Sequence, residues 1–119
     1  MTTPQQVETV KGIIRIKNKI LQSNDWDEIA DLIQSAIDLS ANVPAHKDLD
    51  VLDRTKSKEW NVLALKTLIK AVREKDFINY DAAYPQVAAS LLRLSMVFVK
   101  GGFYAHVGED VNALVALKY

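Results

Sequence analysis

Between Gln86 and Val99 the sequence QVAASLLRLSMVFV is apolar almost all the way round a helical wheel. Val87, Ala88, Ala89, Leu91, Leu92, Leu94, Met96, Val97, Phe98 and Val99 leave only a narrow polar edge of Gln86, Ser90 and Arg93. A helix with so little wet surface has neighbours on several sides, so the pattern predicts a central rod in a helical bundle. Its ends are marked by Asp81 as a candidate N-cap, by Pro85 near the first turn, and by Gly101 and Gly102 as residues able to close a helix in the left-handed conformation.

The same periodicity marks three more long helices. From Pro4 to about Gln22, with Thr2 or Thr3 as cap, Val7, Val10, Ile13, Ile14, Ile16, Ile20 and Leu21 cover one side, and Lys17 falls inside that arc. A lysine in such a position snorkels past the helix edge or pairs with a carboxylate far more often than it acts as a functional amine. Asp25, with Glu28 three residues on, resembles a capping box and opens a second helix that should stop near Ala41, before Pro44. Trp26, Ile29, Ile33, Ala36, Ile37 and Ser40 share one of its faces, opposite Asp27, Asp31, Gln34 and Asp38. After the long connection 43–56, in which Leu49, Val51 and Leu52 could tuck onto the core, Ser57 and Glu59 start a third helix reaching about Lys75. Its apolar arc holds Trp60, Ala64, Leu65, Leu68, Ile69 and Val72. Near the end, Val111, Leu114 and Val115 at i, i+3 and i+4 favour a short fifth helix, although ALVALKY is also compatible with a strand. The fold class is therefore all-α, one compact bundle of four long helices plus a short C-terminal one, mainly antiparallel, within a single domain of 119 residues.

Charge changes this picture where it is patterned. The 15 basic and 15 acidic residues cancel, but they fall in blocks: residues 1–24 carry +3, 25–53 carry −7, 54–75 carry +5 and 76–119 carry −1. Lys11, Arg15 and Lys19 repeat on the first helix, and Lys66, Lys70 and Arg73 on the third. Cations repeated along a rigid face suit nucleic-acid backbone, which is bound by phosphate contacts that carry no sequence information. The two stripes are expected to meet in one surface, unless they are solvated or paired with the acidic stripe of the second helix.

Candidate chemistry is sparse. Zero cysteines exclude disulfides and thiolate chemistry and fit a reducing compartment. The polar N-terminus has no apolar signal-like core and no apolar run is long enough to span a bilayer, so the expected location is cytoplasmic, with no membrane contact. His46 and His106 have no second ligand at helical metal spacing, and the run from Asp48, Asp50 and Asp53 to Glu59 lacks the oxygen donor and the turn glycine of a calcium loop. Asp27 and Asp31 are one turn apart, yet nothing in the sequence supplies the apolar pocket that separates the pKa values of a catalytic pair. In KGGFYAHVG, helix capping explains Gly101, Gly102 and Phe103, ahead of a strand-binding role for Lys100, Phe103, Tyr104 and His106. No metal or cofactor is implied and no enzymatic constellation emerges.

Two functional expectations follow. In the first, the chain is a non-catalytic subunit of a larger assembly, in contact with other protein subunits and with RNA or single-stranded DNA backbone through Lys11, Arg15, Lys19, Lys66, Lys70 and Arg73. Small helical subunits of CRISPR effector complexes have this size and architecture, an analogy of fold alone. In the second, it is a protein-binding module, such as an immunity protein, inhibitor or adaptor, that presents Asp27, Asp31, Gln34 and Asp38 to a basic partner.

Overall fold

Thr3 accepts the Gln6 amide through its hydroxyl while the Gln6 side chain accepts the Thr3 amide, and from this reciprocal cap the first helix, α1 (Pro4–Leu21), begins. The computed structural model of the chain describes residues 3–46 and 54–98, backbone only at 54–57. Within them lie three more helices, α2 (Trp26–Ser40), α3 (Arg54–Arg73) and α4 (Tyr80–Met96), and no strand among the described residues. The fifth helix expected around Val111–Val115, the 47–53 part of the long connection and the glycine-rich stretch 100–108 lie outside the described residues.

Helix α1 packs against α2 and α4, and α3 packs against the same two, so the four helices form a ring with α1 and α3 at opposite corners. Ile13, Ile33, Leu65, Leu91 and Leu94 meet inside it, each at most 1% exposed. Helix α4 is thus one corner and not a central rod. Its nearly all-round apolarity came from residues such as Ala88 and Ala89, which are too small to demand full burial and are half-buried here together with Leu92 and Met96. At Gly12 a Cβ would overlap the tip of the Leu39 side chain, so the bare helix surface there is where that leucine of α2 lies against α1.

One cap differs in its return bond and two helix starts differ in position, each for an identifiable reason. Asp25 caps α2 by accepting the Asp27 and Glu28 amides at 2.9 and 3.3 Å, but its own amide donates to Ser23 Oγ at 3.2 Å, so the partner in the return half of the box is Ser23 instead of Glu28. Helix α3 starts at Arg54, ahead of Ser57, because Arg and Lys propagate a helix well without any apolar face. Helix α4 is capped by Asn79, whose side chain accepts the Ala82 amide at 2.9 Å, leaving Asp81 in the first turn beside the helix dipole.

The ends of the ring are fastened by polar and aromatic contacts. Gln6, 4% exposed, donates Nε2 to the Pro44 carbonyl, and the His46 amide donates to the Val97 carbonyl, which ties the connection after α2 to the start of α1 and the end of α4. His46, read as an ordinary loop histidine, is fully buried there. At the other end Trp26 stacks on Tyr80 at 4.2 Å, Tyr80 on Tyr84 at 6.0 Å, and the Tyr84 hydroxyl donates to the Ser23 carbonyl. Burial, then the neighbouring Tyr80 and Asp81, raise the pKa of that hydroxyl above the ordinary tyrosine value.

Helix α3 ends in a Schellman turn: the Asp76 amide donates to the Ala71 carbonyl and the Lys75 amide to the Val72 carbonyl, with Lys75 in the left-handed region at φ 57°. A side chain there is strained, whereas glycine is not. Lys75→Gly should therefore raise stability by about 1 kcal/mol, read as a later urea midpoint at unchanged slope.

Candidate interaction face between α2 and α3

The orientation of α3 decides what the protein shows to a partner. Leu65, Leu68, Ile69 and Val72 of the expected arc pack into the ring, and Val62 joins them, so the inward face is shifted toward α2. Trp60 and Ala64, assigned to that arc, are exposed. With period 3.6, the outermost line of α3 is then Trp60, Leu63 and Thr67, and the two large residues on it are 61% and 62% exposed. Neither belonged to the site read from sequence. Leu63 could have been found there, since it falls outside any apolar arc drawn through Leu65, Leu68 and Val72.

Beside this ridge, α2 and α3 flank an open groove of ≈ 600 Å³, with Ile37, Ala41, Val62 and Leu63 as its apolar wall and Lys58, Glu59 and Lys66 at its edge. Lys58 reaches across and donates Nζ to the Ala41 and Val43 carbonyls at 3.0 and 2.8 Å. A cation is well placed there, at the cap and in the turn just past the negative end of α2, and partial burial lowers its pKa from the ordinary lysine value.

Ten residues were singled out from sequence, and the ring sorts them by face. Lys66, Lys70 and Arg73 run along the α2 side of α3, next to the acidic row of α2. Arg73 bonds Asp31 at 2.9 Å and lies 3.9 Å from Asp27, while Gln34 Nε2 donates to Asp38 Oδ1 at 2.9 Å. Lys66 and Lys70 are exposed and make no ion pair among the described residues. The stripe of α1 is on the opposite corner, with Lys11 3.8 Å from Glu8 and with Arg15 and Lys19 exposed. The two basic stripes therefore do not merge into the single surface expected of them: helices sharing a core across a ring point their wet faces apart. What comes together is the basic row of α3 with the acidic row of α2.

The Arg73 pairs are solvent-exposed, at 47% for the arginine and 83% and 73% for Asp27 and Asp31. Such pairs contribute little, so a double-mutant cycle on Arg73→Ala and Asp31→Ala should return a coupling of about 0.2–1 kcal/mol that shrinks with added salt. Among the described residues no cluster of three or more histidines and carboxylates could hold a metal ion, and no helix is long and apolar enough to cross a membrane.

Compared with protein families, curated proteins and solved structures, the chain matches none.

Proposed function

We propose that the chain is a non-catalytic protein-binding module, a subunit of a larger cytoplasmic assembly, and that it docks its partner on the face formed by α2 and α3. The observation that carries this is Leu63, which lines the apolar groove between α2 and α3, with Trp60 one turn before it on the outer line of α3, both more than half exposed. Surface tryptophans flanked by a desolvatable groove are where binding energy concentrates, and charged rows around such a centre steer and orient the partner more than they hold it. Here the rows are Asp27, Asp31, Gln34 and Asp38 on one side and Lys66, Lys70 and Arg73 on the other, so the partner carries both signs of charge around an apolar anchor.

Contact with RNA or single-stranded DNA backbone is the weaker reading. It asks for one continuous cationic track through Lys11, Arg15, Lys19, Lys66, Lys70 and Arg73, whereas α1 and α3 are at opposite corners and Arg73 is paired. We also infer that neighbouring helices alternate in direction. Arg73 near the end of α3 meets the start of α2, Lys58 near the start of α3 meets its end, and Tyr84 early in α4 meets Ser23 just after α1.

A photo-crosslinking residue at position 63, in full-length protein expressed in its source cell, tests this reading. The expected result is a discrete protein adduct at 63, absent with the probe at Arg15 and lost on Trp60→Ala. Adducts that nuclease digests would transfer the function to the nucleic-acid reading, and none at 63 would overturn the docking face.

A further inference from the structure

The α2/α3 face carries opposite charges in two adjoining rows. Asp27, Asp31 and Asp38 stand on α2, and Lys66, Lys70 and Arg73 on α3, all of them exposed. The rows are in step: Arg73 meets Asp27 and Asp31 at one end, and Ile37 lines the same groove as Lys66 toward the other. Among the described residues Arg73 alone joins them by an ion pair. Lys66, Lys70 and Asp38 make none there, and Asp38 accepts the Gln34 amide instead.

We propose that the partner docked on this face is a second copy of the same chain, related by a two-fold axis that runs along the helices, midway between α2 and α3. This pairing takes the α2/α3 face of the proposed function as its site and names the occupant. A two-fold contact is built from one patch used twice, so the patch must be complementary to itself. Charge selects the axis. An axis in the plane of the face but across the helices sets α2 on α2 and α3 on α3, acid against acid and base against base, which opposes association. The axis along the helices instead lays α2 of each copy over α3 of the other at the same height. The acidic row then meets the basic row, twice in each dimer, and Lys66, Lys70 and Asp38 gain the opposite charges they lack within one chain. The same operation carries Leu63 of each copy, 62% exposed, onto the Ile37 and Ala41 wall of the second copy's groove. One geometry thus serves the apolar centre and both charged rows.

Sedimentation equilibrium of the purified full chain tests this. The unaltered protein should form a dimer by about 100 μM at low salt and lose it as salt is added, since exposed rows of charge are screened. Lys66→Glu with Lys70→Glu turns most of the α3 row acidic, and Asp31→Lys with Asp38→Lys turns most of the α2 row basic. Either variant alone should associate about tenfold or more weakly, because each substitution counts twice across a two-fold axis. Mixed in equal amounts, the two variants should form a mixed dimer at close to the unaltered affinity, as both contacts are then acid on base. That recovery also excludes misfolding as the cause of the loss. A chain that stays monomeric throughout would overturn the second copy as occupant, while an adduct at position 63 with a different protein would leave the docking face itself standing. A dimer that neither reversal weakens, or variants that do not recover on mixing, would overturn the pairing as well.

Discussion

Leu94→Ala should lower the stability of the fold by about 2–5 kcal/mol, because it removes a leucine side chain that is fully buried where α4 closes the ring. Leu91→Ala should cost a similar amount, for the same reason. Leu92→Ala should cost clearly less, since Leu92 is only partly buried and its truncation leaves a dent open to water and not a cavity. On a wheel drawn from the sequence, Leu92 and Leu94 look equally internal; the ring separates them. Urea unfolding of the three variants checks the ranking, and equal losses at positions 91, 92 and 94 would restore α4 to the centre of the bundle.

Trp60→Ala should weaken partner binding by about 30-fold or more, the scale of a hot-spot tryptophan. Its effect on stability should be small by comparison, as a side chain already 61% exposed removes little further apolar surface from solution in the folded state. The crosslink yield at position 63, followed against urea midpoint in the same variant, separates the two effects. A tryptophan acting mainly as part of the core would lower both together.

The difference between what could and could not be read from sequence follows from the range of the interactions involved. Pro4, Thr3, Asp25 and Ala41 mark the ends of α1 and α2 through contacts spanning two to four residues, and those ends were legible. The cap of α4 was not, because Asp81, the residue read as cap, is as good an acceptor as Asn79 two residues earlier, and nothing local separates the two. That Val62 and not Trp60 joins the inward face of α3 is a matter of packing against α2, a long-range contact that local periodicity does not carry. Lys75 carries no signal for its left-handed backbone, since glycine is the residue that announces such a turn. For the site, both charged rows of α2 and α3 could be named residue by residue, whereas their adjacency, and the exile of Lys11, Arg15 and Lys19 to another corner, depend on the order of helices round the ring.

The most direct test moves the crosslinker to Gln34, on the α2 side of the same face, and compares its adduct yield in the unaltered background with that in Trp60→Ala/Leu63→Ala. If α2 and α3 form one docking face with its apolar centre on α3, the adduct at 34 disappears in the double variant while the urea midpoint holds. An adduct at 34 that persists unchanged in that variant would contradict the account.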